Sequence, residues 1–439
     1  MPRSDPNGPA VIVDPYSSGG MYAPTFAEAG VPAVAVLSRP TIMDVYRPSY
    51  HPEHFTEVIA FDGNLEPVAG RLAELAPRCI LPGTEIGVEL ADRLAALVTP
   101  DLANVPALTA ARRDKWEMAA AASAAGIPVL AQICTHDPGE VAAWIEREQL
   151  AGRDLVVKPP KSASTDGVTR VPRGAGWREA FEAQLGRPNK WDIVNDRMLV
   201  QEYATGTEYV VDAFSHGGVH TITDVCRYRK MANGPYMAVY DSMEWLPPDE
   251  PGIAELVGYT KAVLDAVGLR NGAAHVEVMR TAAGPRLIEI NARPHGGGQP
   301  RFCLVATGDS QVHRAVRHFA SREPVPEHYE LLLHTLVVFL VSRRAGILRN
   351  VETLDAVRQL PSHHYAAIGV NNGDRIEMTR DLLSTLSLGF VVLTNQDRHQ
   401  MMIDYAAVRR IEQTLVVEPD AAPQGAKTPA FPTSGPGSA

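Results

Sequence analysis

Short apolar runs separated by turns and amphipathic stretches open the chain. Val11-Ile12-Val13, Val34–Leu37, Val58-Ile59-Ala60 and Cys79-Ile80-Leu81 read as short strands. Tyr22 to Ala29 reads as a helix stopped by Gly30, and Glu85 to Leu97 as a helix after the turn Pro82-Gly83-Thr84. Such alternation predicts a parallel sheet with flanking helices. Ser17-Ser18-Gly19-Gly20 stands where a phosphate loop would, but it lacks GxGxxG spacing and reads as a turn at the subdomain's mouth. Thr109 to Ala125 predicts an alanine-rich helix ended by Gly126. Ile253 to Val267 carries one apolar helical face, stopped by Gly268. Strands are predicted at Leu155–Lys158, Arg197–Tyr203, Glu208–Phe214, Leu336–Val341 and Gly389–Leu393, and a helix near Arg398–Gln413. From Glu418 onward Pro, Ala, Gly and Ser dominate, which predicts a disordered tail over 418–439.

The pattern richest in chemistry is Ala273 to Gly298, two short strands joined by a tight loop. Strand alternation lets Glu289, Asn291 and Arg293 share one face. A three-residue loop, Ala282-Ala283-Gly284, would set Glu277 opposite Glu289, with Gly284 in its left-handed last position. Two carboxylates and an amide oxygen make a hard-oxygen cage suited to Mg²⁺ carrying a nucleotide phosphate. The Arg293 fork can meet a phosphate or carboxylate beyond it. A surface hairpin with a solvated polar face is the bland alternative. Against it stand apolar Leu287, Ile288 and Ile290 and the glycine run that follows, which lets a ligand approach the backbone.

Composition narrows the class. A chain of 439 residues predicts two to four folding units at roughly 100–200 residues each. A net charge of −10 argues against a nucleic-acid surface. Cys79, Cys134, Cys226 and Cys303 form no Cys-x-x-Cys pair, which argues against a disulfide scaffold or thiolate zinc site. The first residues lack an apolar signal region, and Leu336 to Val341 is too short to span a membrane. A cytoplasmic protein is the expectation.

Other segments supply partners for the cage. Lys158 ends a strand and opens KPPKSASTDGV, whose Ser162, Ser164, Thr165 and Gly167 can close over phosphates. Lys115 lies on the earlier helix; alone it reads as a solvated lysine. In LVQEYATGTEYVV an apolar strand runs into Gln201-Glu202-Tyr203-Ala204 and then Glu208. An extended edge there can serve an adenine, and carboxylates can take ribose hydroxyls.

In order and spacing, RRDKWEMAAAASAAGIPV, VVKPPKSASTDGV, LVQEYATGTEYVVD and HVEVM with LIEINARP resemble the ATP-grasp superfamily across Pro106 to Asp309. The loop is poorer in glycine than in many members. SASTDGV, NARPHGGG and the C-terminal segments resemble the L-amino acid ligase type of carboxylate–amine ligase. The resemblance implies an α/β (α+β) ATP-grasp fold with four parts. These are a parallel-sheet pre-ATP-grasp domain over 1–105, a two-lobed nucleotide-binding core over 106–320, a mixed α/β lid-like domain over 321–417, and the tail. It places Lys115, Lys158 and the loop residues on phosphates, Glu202, Tyr203 and Ala204 on adenine, and Glu208 on ribose. Glu277, Glu289 and Asn291 would hold Mg²⁺, with Mn²⁺ as the other candidate ion. Arg293 would be catalytic.

The implied chemistry is phosphorylation of a carboxylate by ATP, then amine attack on the acyl phosphate, releasing ADP and phosphate. Partners would be a small-molecule carboxylate and amine, with no nucleic acid or membrane, and a homodimer as the assembly. Glu85, Tyr228, His275, His295 and Gly297 are the substrate candidates. A helix-start carboxylate is the bland reading of Glu85, and a packed side chain that of either histidine. Arg227, Lys230 and Trp245 are expected along the cleft walls. Rival readings are a biotin-carboxylase-like enzyme activating bicarbonate and an ATP-binding regulatory protein without ligase activity.

Overall fold

A computed structural model describes Asp5 and residues 7–162, 166–234 and 236–419. The candidates Ser164 and Thr165, and the tail from residue 420, lie outside the described residues. Strands β1 (Ala10–Val13), β2 (Ala33–Leu37), β3 (Glu57–Ala60) and β4 (Cys79–Pro82) pair in parallel in the order β3-β2-β1-β4. A helix at Leu65–Leu75, absent from the sequence reading, starts where the Asn64 side chain accepts from Glu66 N–H and buries Val68 and Leu72. The helix expected from Glu85 begins as a 3₁₀ turn over Glu85–Gly87 and becomes α-helical at Val88–Val98.

The helix expected from Thr109 starts later, at Lys115–Ala124, because the Asp114 carboxylate accepts from Trp116 and Glu117 N–H and fixes the first turn there. Just before it, fully buried Arg112 pairs with Asp92 at 2.6 Å and donates to the carbonyls of Val105 and Val267. That staple ties the parallel-sheet region to the rest of the molecule. Breaking a buried pair of this kind costs about 3–5 kcal/mol.

A second, antiparallel sheet forms the small lobe. It contains β5 (Gln132–Thr135), β6 (Leu155–Lys158), β7 (Thr169–Val171) and β8 (Met198–Glu202) in the order β5-β8-β6-β7. Leu155, Val157, Met198 and Val200 alternate inward against Trp144 and Phe181. The chain then continues through β9 (Gly206–His216), β10 (Val219–Asn233), β11 (Tyr236–Trp245), β12 (Gly272–Thr281), β13 (Gly284–Asn291) and β14 (His334–Phe339). After these come β15 (Gly346–Arg349), β16 (His363–Ile368), β17 (Arg375–Ile376), β18 (Gly389–Asn395) and β19 (Val416–Glu418).

Eight of these strands form one sheet, ordered β13-β12-β9-β10-β11-β14-β18-β16. The C-terminal strands therefore continue the central sheet through the β11–β14 pairing, and β15, β17 and β19 make a small sheet beside it. The Ile253–Ala266 helix packs Leu256, Val263 and Leu264 against Val211, Val276 and Ile290 on one face. Alternation turns Glu208, Asp212, His275, Glu277, Glu289 and Asn291 toward the other face, where the small lobe's lysines meet them.

Candidate active site

Glu277 does face Glu289, but by a different route from the expected one. The turn has two residues, since Thr281 pairs with Gly284, and a bulge at Ile288 then shifts the register back. Gly284 has φ of 91°, the left-handed geometry expected of it. Asn291 Nδ2 donates to Glu289 Oε1 at 3.0 Å, which leaves Asn291 Oδ1 as the amide atom for a cation. Two opposed carboxylates and an amide oxygen form an all-hard-oxygen set, and these residues fit Mg²⁺.

Both candidate lysines reach this cage. Lys115 Nζ lies 2.8 Å from Glu289 Oε2 and donates to Ser162 O at 2.7 Å. The bland reading of Lys115 as a solvated side chain fails, because it is 9% exposed. Burial alone would raise the Glu289 carboxyl, yet Lys115 and Asn291 hold it down to about 2. Ser162 Oγ donates to Asp166, and Gly167 has φ of 71°, so the described ends of the phosphate loop fold back on themselves.

Lys158 Nζ donates to Gln201 Oε1 at 3.0 Å. Burial and the neighbouring Lys115 depress its pKa to about 8. A lysine that must be charged to hold phosphate then takes up a proton on binding whenever the pH exceeds 8. Nucleotide affinity should therefore be flat below pH 8 and fall roughly tenfold per pH unit above it. Calorimetric titration with MgADP between pH 7 and 9.5 checks this; constant affinity across that range contradicts it.

The hinge is narrower than the sequence suggests. Glu202 N–H donates to Ala131 O and Tyr203 N–H to Asp154 O, while the Glu202 carboxylate accepts from Ala131 N–H. The adenine edge expected at this hinge would be left with Ala204 N–H and the hinge carbonyls. The Tyr203 ring lies under Arg170 at 4.2 Å. Glu208 Oε2 pairs with Lys230 at 2.6 Å, and its buried Oε1 has no partner. Burial raises the Glu208 carboxyl; Lys230 opposes that rise, while Glu277 adds to it. Three acids (Glu208, Glu277, Glu289) thus stand among three lysines (Lys115, Lys158, Lys230) in one cleft.

Behind the cage lies a buried chain of groups. Asp212 accepts from both imidazoles, at 2.9 Å from His275 Nδ1 and 2.8 Å from His295 Nδ1. His275 Nε2 reaches Glu277 at 3.3 Å, and His295 Nε2 reaches Tyr228 OH at 3.1 Å. Burial works against charge on His275, but Asp212 and Glu277 bring it up to about 9. Burial and the His275 charge bring His295 down to about 4. His275, His295 and Tyr228 are all buried and linked by these hydrogen bonds. Asp212 was missed, although an acid in phase with Glu208 on an apolar strand is a legible signal.

At the far end, Arg293 Nε and Arg113 Nη1 each lie 3.5 Å from Glu85, close enough for charge and too long for good hydrogen bonds. Burial pushes the Glu85 carboxyl up, and Arg113 and Arg293 offset part of that. Glu85 thus heads the 3₁₀ turn, as its helix-start reading expects, and also stands between Arg113 and Arg293. The glycine wall meets the Ser17–Gly20 turn, with Gly297 N–H donating to Ser17 Oγ and Gly298 N–H to Ser18 Oγ. Two cleft-wall expectations fail. Arg227 turns to the opposite face and pairs with Glu244 and Glu250. Trp245 is 1% exposed and packs in the core with Phe302 and Cys303.

Among the described residues no helix is long and apolar enough to cross a membrane. Residues 152–300 match the model of the ATP-grasp domain. The chain is 29% identical over 421 residues to dapdiamide A synthase of Enterobacter agglomerans, covering 92% of this chain and 95% of that protein. It is 26% identical over 263 residues to D-alanine--D-alanine ligase of Coprothermobacter proteolyticus, covering 56% of this chain and 79% of that one. Its fold is similar to that of L-amino acid ligase from Bacillus licheniformis, with a TM-score of 0.71 at 15% identity over 95% of this chain and 100% of the other. An ADP complex of N5-carboxyaminoimidazole ribonucleotide synthetase gives 0.66 at 16% identity, over 93% and 98% of the two chains. The matched ATP-grasp domain and the similarity along nearly the whole chain to a named synthase agree with the cleft described above, and together they support an ATP-grasp carboxylate–amine ligase.

Proposed function

We propose that this ligase activates a small-molecule carboxylate as an acyl phosphate and passes it to an amine, with amino acids as the substrate class. The observation that carries the reading is the meeting of Lys115, Lys158 and the opposed Glu277 and Glu289 in one cleft with Arg293 at its end. A carboxylate resists amine attack because it is anionic and its leaving group is poor. Phosphorylation removes both obstacles, and the reaction then needs aligned groups and neutralised charge more than a protein nucleophile.

In this reading Lys115 and Lys158 hold the nucleotide's phosphates, and Lys115 exchanges its contact with Glu289 for one with phosphate. Glu277, Glu289 and Asn291 Oδ1 would hold Mg²⁺, which supplies charge neutralisation at the phosphate oxygens. Arg293, one strand step beyond Asn291, orients the transferring phosphoryl group and then donates to the oxyanion formed when the amine adds. Arg113 and Glu85 face the same place and supply a donor and an acceptor for the substrate's own charges. Glu208 and the hinge carbonyls serve ribose and adenine.

Incubation with MgATP and mixed amino acids should release ADP and inorganic phosphate only when metal is present. AMP and pyrophosphate would mean adenylation and overturn the reading; turnover requiring bicarbonate and biotin would favour the carboxylase rival.

A further inference from the structure

We propose that Arg113 is a specificity-determining residue, the anchor for the free carboxylate of the amine-donating substrate, so that this substrate is an α-amino acid and not a plain amine or an amino acid amide. The inference deepens the proposed function and rests on it.

Two neighbouring buried arginines differ in how they are used. Arg112 engages all three guanidinium nitrogens: Nε and Nη2 donate to Asp92, Nη1 to the carbonyls of Val267 and Gly268, and Nη2 also to Val105 O. Its donors are taken up in holding the fold. Arg113 is 4% exposed, yet its Nη1 has no hydrogen-bond partner, and its ion pair with Glu85 Oε1 spans 3.5 Å. The nearby acids are already engaged. Asp114 accepts from Trp116 and Glu117 N–H and from Arg197, and Asp92 accepts from Arg112 and Asn104.

Glu85 supplies the matching gap. It is 5% exposed, and its Oε2 lacks a hydrogen-bond partner although Arg293 Nε lies 3.5 Å away. Buried polar groups in native proteins are nearly all paired. An open donor beside an open acceptor therefore marks where a ligand brings one of each.

The order of the groups decides which end of the ligand goes where. Arg293, Glu85 Oε2, Glu85 Oε1 and Arg113 form a row whose outer steps are both 3.5 Å. The charges of Glu289 and Lys115 also act on Glu85, which ties the row to the cage. An amine held at Oε2 stands beside an acyl group on Arg293. The carboxylate on the same α-carbon then reaches Arg113, on the side away from the reacting centre. Each substrate carboxylate thus has its own arginine, Arg293 for the one activated and Arg113 for the one left free. A plain amine would leave Arg113 buried with no acceptor, and an amide would offer a neutral oxygen in place of a charged one, whose hydrogen bonds are roughly twice as strong.

Phosphate release with MgATP over pairs of the common amino acids selects a productive pair, and fragmentation of the product shows which member gave the amine. That amino acid is then compared with its own α-amide and its decarboxylated amine. The wild-type protein should prefer the free acid by about tenfold or more in kcat/KM. Arg113→Gln should bring the three compounds within about threefold of one another, through a raised KM for the acid and an unchanged KM for the amide. Arg113→Lys keeps the charge without the planar fork. It should raise the KM of the acid alone, a readout that stands should Arg113→Gln fail to fold. Wild-type use of the amide or amine as readily as the acid overturns the assignment. So does an equal loss on acid and amide in the variants, the mark of simple charge balance for Glu85. No phosphate from any pair would overturn amino acids as the substrate class, and the inference with it.

Discussion

Glu289→Gln is expected to reduce ADP formation by about 10²–10³, the loss typical of removing one preorganised charge-stabilising group. Glutamine keeps the shape and a hydrogen-bonding partner for Asn291 but cannot neutralise a cation. Alanine is the poorer probe. Glu289 is not a solvent-rimmed carboxylate, because its side chain is 15% exposed and is the near partner of Lys115. Its removal leaves Lys115 and Lys158 facing one another without that negative charge, so Glu289→Ala should also lose stability. The decisive comparison is turnover and metal-free ADP binding on Glu289→Gln protein with a wild-type circular-dichroism spectrum. Retained binding with lost turnover fits the metal role, and undiminished turnover is incompatible with it.

Arg293→Lys should leave ATP affinity near normal while kcat falls by about two orders of magnitude. The alternative is that Arg293 only balances the charge of a neighbouring carboxylate. The described carboxylate partner of Arg293 is Glu85, at 3.5 Å. That carboxylate also faces Arg113, so Glu85 would keep one cation if Arg293 served only charge balance. An ammonium would then do nearly as well as a guanidinium, whose planar fork holds two oxygens at once. A near-wild-type kcat for Arg293→Lys would remove Arg293 from the chemistry and leave it as a structural counterion.

Groups within one strand pair were legible in the sequence. The expected three-residue loop sets Glu277 opposite Glu289, and the two do face one another although a two-residue turn and a compensating bulge at Ile288 take that loop's place. Two one-residue differences cancelled, and alternation has no means of detecting either. Lys158 was legible because it ends an apolar strand before a polar loop. The start of the Lys115 helix was misplaced because alanine-rich propensity extends past Asp114, whose side chain sets the boundary. Arg113 went unseen for a different reason. It gains its place from a contact far along the chain, to Glu85, and local pattern carries no trace of it. The same holds for the C-terminal strands, whose membership of the central sheet depends on the β11–β14 pairing. Trp245 was misassigned because hydropathy does not tell an aromatic cleft wall from an aromatic core.

The central claim is that a substrate carboxylate oxygen is transferred to phosphorus. Amino acids labelled with ¹⁸O in both carboxylate oxygens, incubated with MgATP and the enzyme, test it directly by mass analysis of the released phosphate. Attack of the carboxylate on the γ-phosphorus makes the labelled oxygen the bridge, and amine addition expels it with the phosphate. The account predicts one ¹⁸O per inorganic phosphate formed, with unlabelled ADP and one ¹⁸O left in the amide. Unlabelled phosphate formed at the rate of amide synthesis, or label in AMP, would contradict it.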